Sequence, residues 1–386
     1  MVFSNKRAAM LLAVALFAAI TACSGNSTVP PAQSSAAIPE TQVPGIDAAA
    51  GVTPDDTTSI LKKLKKTVII GTTTDPTNGD QGGRAISVVK NTYGLKKGQI
   101  LVCNYADAGG AAGQGTTVDV FNGSAGSKAA TFAQSSKIEG CAGDALSSNN
   151  SVYVPGFTSG LLVPFSDSGK IGKPYTGFKN PFSDLDASNP SLYSAEYVFA
   201  SDAGTGGVTS FSINYYGNPK PTEVASGFGI NNKSGWSALG PSGLSYYAKK
   251  DTLYIADGVD STVVSFSHAS ELLVKDEIVV QKGGKTFKCK FPKTTCGTLV
   301  KAGAPLDAPV AMTILPNGNL IVANTGGNSP NTLVEMTPTG QILDTKVVDK
   351  SKTPGIFAVY AVGTSDNDTV LYLTDTNSNN LQELEQ

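Results

Sequence analysis

One stretch constrains the fold more than any other: Ala308 to Asn324, APVAMTILPNGNLIVAN. Val310, Met312 and Ile314 alternate with smaller residues, Pro316-Asn317-Gly318 supplies turn chemistry, and Leu320-Ile321-Val322 is a buried-type strand that stops at Ala323-Asn324. The same order of strand, tight turn, strand and polar stop recurs in Gly240 to Asp257, GPSGLSYYAKKDTLYIAD, with its turn at Lys249-Lys250-Asp251. A chain that repeats this unit builds a sheet from locally paired strands.

Six second-strand units end in such stops: ILVCN at Asn104, VYVPG at Gly156, YVFAS at Ser201, LYIAD at Asp257, LIVAN at Asn324 and LYLTD at Asp375. Their intervals run from 45 to 67 residues, close to the period of a four-stranded blade with insertions. Further strands follow the stops at Thr117 to Phe121, Gly160 to Phe165, Val208 to Ile213, Thr262 to Ser267 and Thr332 to Met336. The two clearest units resemble NHL-type repeats, whose blades read as a Pro-Gly lead, an apolar strand, a Gly-Asn turn and "LYVAD" or "VAN". The resemblance covers the chain from about residue 65 onward and implies an all-β, six-bladed β-propeller over residues 67–386. A pair of β-sandwiches would also give regular short strands, but composition shows no break between residues 72 and 386. Thr67 to Gly71, TVIIG, has no sequence neighbour to pair with; it is expected to complete the last blade beside Val370 to Leu373 and Leu381 to Leu384, closing the ring.

The start of the chain reads differently. Lys6-Arg7 precedes an apolar run, Ala8 to Ile20, that is short for a membrane span, and Ile20-Thr21-Ala22-Cys23 follows. This resembles a bacterial lipobox, which implies a signal peptide over residues 1–22 and lipid on Cys23. The same resemblance, with Ser24 next, implies sorting to an outer membrane facing the periplasm in a Gram-negative cell. Residues 23–52, rich in Ser, Ala and Pro, read as a flexible tether. Over residues 53–66, Thr53 as N-cap, Pro54 at the first helical position and acids ahead of lysines predict a short surface helix.

Export makes the remaining cysteines an even set in an oxidising compartment. Cys289 and Cys296 bracket a short loop and form the natural pair, which leaves Cys103 to Cys141. A zinc site fits poorly, because the spacing is not CxxC and the chain's one histidine, His268, lies elsewhere.

If the six stops are equivalent, Asn104, Gly156, Ser201, Asp257, Asn324 and Asp375 converge on the central channel near one mouth. Carboxylate and amide oxygens there suit Ca²⁺ or another divalent metal, with Asp257, Asn324 and Asp375 as ligands. The simpler reading is that they hydrogen-bond neighbouring blades and trapped water; no cofactor is then expected. A distant resemblance to gluconolactonase and regucalcin propellers implies a metal in such a place and a lactonase-like hydrolase, although the early Glu of that pattern has no counterpart. Trp236, the chain's one tryptophan, sits in a loop where it could stack on a ligand or pack between blades. Tyr105, Tyr215, Tyr216 and Phe157 also fall at strand ends or loops. His268 reads as exposed, Gly283-Gly284-Lys285-Thr286 lacks the rest of a P-loop, and Asp366-Asn367-Asp368 reads as a hairpin turn.

A formal charge of −2, more negative once Lys6 and Arg7 are removed, offers nothing to nucleic acid. The expectation is an exported, membrane-anchored binding module for an envelope protein, glycan or small ligand, with the hydrolase as the alternative.

Overall fold

Runs of β-branched and aromatic residues closed by Gly, Asn or Asp fold into antiparallel strands, since the runs pack well on a pleated surface and the closing residues tolerate tight turns. In the Ala308 to Asn324 unit, Gly318 takes φ 89° and its N–H donates to Leu315 O at 2.8 Å, as Pro-Asn-Gly dictates. A computed structural model describes residues 55–186, 196–213, 220–326 and 329–386, with backbone alone for 182–186. The expected signal peptide, Cys23, the tether, Tyr215 and Tyr216 lie outside the described residues.

Six blades are present. From the channel outward, blade one is Gln81–Val88, Ile100–Ala106, Ala112–Phe121 and Ala130–Gln134. Blade two is Gly143–Leu146, Val152–Gly156 and Leu161–Phe165, its edge bridged by Ile171 and Tyr175. Blade three is Pro181–Asp186, Glu196–Asp202, Gly207–Ile213 and Thr222–Ser226. Blade four is Pro241–Tyr247, Thr252–Asp257, Thr262–Ser267 and Gly297–Ala302, and blade five is Pro309–Ile314, Leu320–Asn324, Asn331–Met336 and Ile342–Asp349. Blade six is Ile356–Val362, Val370–Asp375 and Asn380–Glu385, completed by Lys66–Thr72 from the other end of the chain. The closing strand is the one the sequence predicts, and all six second strands and the strands after them fall where their apolar runs place them.

The core lies between blades. One cluster joins blades one and two through Leu101, Val118, Val154 and Phe165; another joins four and five through Ala256, Val263, Met312 and Val334; a third joins six and one through Ile86, Val102, Phe121 and Leu381. Each innermost strand packs on the next, and the last packs on the first. Between blades two and three the innermost strands pair directly, in parallel, from Gly143↔Ser183 to Leu146↔Asp186.

Both disulfides form as expected. Cys103–Cys141 ties the second strand of blade one to the entry of blade two, and Cys289–Cys296 closes an insertion in blade four, each with Cα atoms 5.4 Å apart. That insertion carries the hairpin Ile278–Gln281 and Thr286–Cys289, which adds to the edge of blade three by parallel pairing of Ala225 with Ile278. It thereby covers an edge that would otherwise present unpaired backbone groups.

The helix predicted over 53–66 is not formed. Thr53 and Pro54 lie outside the described residues, and the rest makes one tight turn, with Lys63 N–H donating to Ile60 O at 2.8 Å. A short helix would gain few hydrogen bonds for its nucleation cost. The turn instead buries Ile60, Leu61 and Leu64 completely among blades five and six. Fully buried Glu335 clasps it, accepting from Ser59 Oγ at 2.7 Å and from the N–H groups of Ile60 at 3.1 Å and Leu61 at 2.8 Å.

Candidate functional site at the two ends of the channel

Apart from Asn104, whose strand runs two residues further to Ala106, the polar stops sit at the turns between second and third strands, where the chain reverses and the link from the preceding blade arrives. Asp257 accepts from Val259 N–H at 2.9 Å and from Gly229 N–H at 3.2 Å. Burial, aided by the charge of Asp260, lifts its carboxyl to about 6. Asp375 accepts from Asn377 N–H at 3.0 Å and from the Ser378 hydroxyl at 2.7 Å. Asn324 accepts from Asp307 N–H at 3.2 Å and donates to Pro305 O at 2.8 Å and Thr332 Oγ1 at 3.1 Å. Asn104 donates to Asp119 Oδ2 at 2.7 Å inside blade one.

In blade three the equivalent residue is Asp202 and not Ser201. Asp202 pairs with Gly207 as Asp257 pairs with Thr262 and Asp375 with Asn380. It gathers four amides, those of Lys179, Asn180, Gly204 and Thr205, at 2.6 to 3.2 Å. Ser201, one residue earlier, is buried in the strand.

Asn104, Asp257, Asn324 and Asp375 therefore hold one position opposite their innermost strands, with Asp202 and not Ser201 capping blade three, and each is engaged with its own blade or with the link from the preceding one. Among the described residues, no two of Asn104, Asp257, Asn324 and Asp375 share a hydrogen-bond partner, and no three His, Cys, Asp or Glu side chains form a group that could hold a metal ion.

The innermost strands supply what the stops do not. Those of blades one, four, five and six each slip register near their start, at Gly83/Ala85, Pro241/Gly243, Pro309/Ala311 and Ile356/Ala358. A bulge inserts one residue and re-aims its side chain; here the inserted residues are Arg84, Ser242, Val310 and Phe357. Arg84 and Phe357 meet at one end of the channel, where the 3₁₀ turn Gly235–Ser237 brings Trp236 from the link ahead of blade four.

The Arg84 guanidinium carbon lies 4.4 Å from the Tyr105 ring centroid, 4.8 Å from Phe357 and 6.0 Å from Trp236. Trp236 is 4.9 Å from both Tyr105 and Phe357. Cation–π attraction is strongest when desolvated, about 2 kcal/mol, and this arginine is almost wholly buried. Burial lowers its pKa to about 10, so it keeps its charge at neutral pH. Trp236 is thus half-buried as part of a plug that blades one and six build with it. Gly82 makes room: its φ is 75°, and a Cβ there would lie 2.8 Å from the indole.

One strand length away, at the opposite end, the described residues leave a hollow. A cavity of about 460 Å³ is lined by residues at the ends of four innermost strands, Val88, Tyr246, Ile314 and Val362, with Leu244, Met312, Ser245 and Thr313 earlier in them and Lys90 and Lys97 in the loops beyond. An adjoining hollow of about 320 Å³ shares Lys90, Tyr246 and Ala361 and adds Lys249. Sequence reasoning singled out Trp236 and Tyr105 but missed Arg84, Phe357 and the cavity. A bulge leaves no trace in GGRAISV, and the cavity draws on four blades, none of which shows a motif of its own.

The remaining features stay local. His268 is exposed and left-handed, with φ 50°. Gly283-Gly284 makes the turn of the inserted hairpin. Asp368 closes its hairpin by accepting from the amides and hydroxyls of Thr364 and Ser365, which hold its carboxyl well below the usual range. Phe157 is buried against Tyr105, ring centroids 5.8 Å apart.

No family model and no curated protein matches the chain. Solved structures do. A gluconolactonase from Xanthomonas campestris superposes with a TM-score of 0.51 at 12% identity over 79% of this chain and 87% of its own. A luciferin-regenerating enzyme gives a TM-score of 0.50 at 14% identity over 83% and 95%. At such identities the likeness speaks for the six-bladed fold alone, one that hosts unrelated chemistries.

Proposed function

We propose that this protein is a ligand-binding propeller, exported and held at the cell envelope by lipid on Cys23, and that its ligand occupies the hollow at the end of the channel opposite the plug. The observation that carries the reading is the cavity of about 460 Å³ where four innermost strands end. It has the size and the mostly apolar lining, with a few placed hydroxyls, of small-molecule sites. Rigid strand ends hold its walls, so little ordering is needed on binding.

The hydrolase alternative has less behind it. The carboxylates of Asp257 and Asp375 are engaged by turn amides and a serine hydroxyl. A divalent cation beside the plug would meet Arg84, whose charge opposes it by about 3 kcal/mol per unit charge at roughly 5 Å and an effective dielectric of about 20.

Native mass spectrometry of the protein, released from its own envelope without denaturation, tests the reading. A bound small molecule is expected, and Ala361→Phe, which fills the cavity, should remove it while the thermal midpoint stays near that of the parent. A bare parent, or a ligand retained by the folded variant, would refute it. Labelling with a radioactive fatty acid should mark the parent and miss Cys23→Ala; equal labelling of both would refute the anchor.

A further inference from the structure

The insertion in blade four carries more than an edge cover. Between Lys275 and Lys293 it places six lysines against two acids, Asp276 and Glu277, and all six are exposed. Among the described residues none of them forms an ion pair. Asp276 and Glu223 lie beside Lys275, and Asp260 beside the Gly283 turn, so positive charge gathers at Lys288, Lys290 and Lys293. Glu277 is buried and spent on the fold, accepting from the N–H groups of Leu273 and Val274, each at 3.2 Å, and from the Thr295 hydroxyl. That clasp joins two loops, and both expose large apolar side chains: Leu273 is 64% exposed, Val274 41% and Phe291 49%. Alternation along Thr286–Cys289 turns Phe287 and Cys289 to the core and Lys288 to solvent.

Lysines around exposed aromatic and aliphatic side chains suit the headgroup layer of an anionic bilayer, where each lysine strengthens binding about fivefold. The Cys289–Cys296 bridge already fixes the loop, so little ordering is needed on contact. The path of the chain agrees. Ser267 N–H donates to Cys296 O at 3.2 Å and Ser270 N–H to Asp251 at 2.9 Å, which places both loops at the end of the ring opposite the plug. Asp55 and Thr58 dock at the same end, on the strand turns at Thr339 and Asn317, so the stretch that leads back to Cys23 joins the ring on that side. We propose that the loops around Leu273 and Phe291 form a docking surface for an anionic phospholipid bilayer, their apolar side chains in the interface and Lys288, Lys290 and Lys293 on the lipid phosphates. This docking needs neither a ligand in the cavity nor lipid on Cys23.

Hydrogen exchange of the full chain on vesicles tests this, because a local contact shows whatever holds the start of the chain. The vesicles are phosphatidylcholine alone, or phosphatidylcholine with an equal part of phosphatidylglycerol. On the anionic vesicles the amides of Leu273 to Lys275 and Lys290 to Thr294 are expected to exchange at least about fivefold more slowly than on the neutral ones, and added salt should remove the difference. Lys288→Gln combined with Lys293→Gln should abolish most of the slowing, as should Leu273→Ser combined with Phe291→Ser, with thermal midpoints near that of the parent. Slowing that is equal on both vesicles, that survives the lysine variant, or that falls elsewhere on the ring would overturn the proposal. If vesicles leave these amides unchanged while intact envelope shields Lys288 and Lys293 from amine acylation, the surface belongs to a protein or glycan partner and the lipid assignment falls.

Discussion

Asp119 and Asp75 meet carboxyl to carboxyl inside blade one. Asn104 Nδ2 donates to Asp119 Oδ2 at 2.7 Å; Asp75 accepts from Thr131 Oγ1 at 2.5 Å and from the N–H groups of Thr77 and Asn78 at 2.8 Å. Burial, reinforced by Asp75 and more weakly by Asp80, lifts the Asp119 carboxyl to about 8. Burial works the same way on Asp75, but the hydrogen bonds from Asp119, Thr131 and the turn amides outweigh it and hold that carboxyl below its usual value. Asp119 is therefore the proton donor of the pair. Together they fasten the segment that leads from the closing strand into blade one.

This pairing sets the direction of a pH dependence. In the unfolded chain an aspartic acid loses its proton near ~3.9, whereas folded Asp119 keeps it up to about 8. Over that window the native state binds more protons, so stability is greatest below the lower value and is lost as pH rises through the upper one, by at most ~1.4 kcal/mol per pH unit. Urea midpoints should fall between about pH 5 and about pH 8. Asp119→Asn, which still donates to Asp75, should flatten most of that fall; an equal slope in the variant would show that other groups cause it.

A second prediction concerns the plug. Gly82→Ala would place a Cβ 2.8 Å from Trp236 at a residue with φ 75°, a conformation that costs about 1–2 kcal/mol for an L side chain. The indole must move, and because Trp236 is the chain's one tryptophan, its emission reports that move directly. A red shift with a loss of ~1–3 kcal/mol in stability is expected. An unchanged spectrum would mean that Trp236 does not press on Gly82.

Much of the architecture was legible because it is local. In LIVAN or LYLTD an apolar run and a polar stop occupy adjacent positions, and strand pairing follows from the turn between them. Ser201 was misplaced by one residue because FASD ends in two polar residues, and only the register shows which one caps the turn. Arg84 stayed hidden because GGRAISV reads as an ordinary strand, although a bulge at the arginine sets its guanidinium against Tyr105, Phe357 and Trp236. The helix over 53–66 failed where local propensity lost to burial: Ile60, Leu61 and Leu64 had a groove to enter and Glu335 to cap the turn. Contacts among separate blades leave no local spacing to read.

The equivalence of the stops can be tested at Asp257. Its carboxylate holds amides from its own turn and from the link out of blade three. Asp257→Ala would leave both unsatisfied in a buried site, at ~1–3 kcal/mol each. Asp257→Asn keeps one acceptor oxygen and should recover a large part of that. Thermal melts order the three proteins as parent, Asn, Ala. Equal midpoints for all three would contradict the capping role, and an intact midpoint with lost activity would revive Asp257 as a functional acid.

The clasp on the first turn gives the last expectation. Glu335 accepts from Ser59 Oγ, Ile60 N–H and Leu61 N–H and also from Asn319 Nδ2 at 3.3 Å. Glu335→Ala would orphan these donors and leave a cavity beneath Ile60 and Leu61, at a cost of ~2–4 kcal/mol. The closing strand Lys66–Thr72 follows directly from this turn and pairs with Asn380–Glu385. Loosening should therefore appear first at the closure of the ring. Hydrogen exchange in Glu335→Ala is expected to speed up at the amides of Lys66 to Thr72 and Asn380 to Glu385 before those of blades two and three. Uniform acceleration around the ring would mean that the turn stabilises the propeller globally and has no special hold on its closing strand.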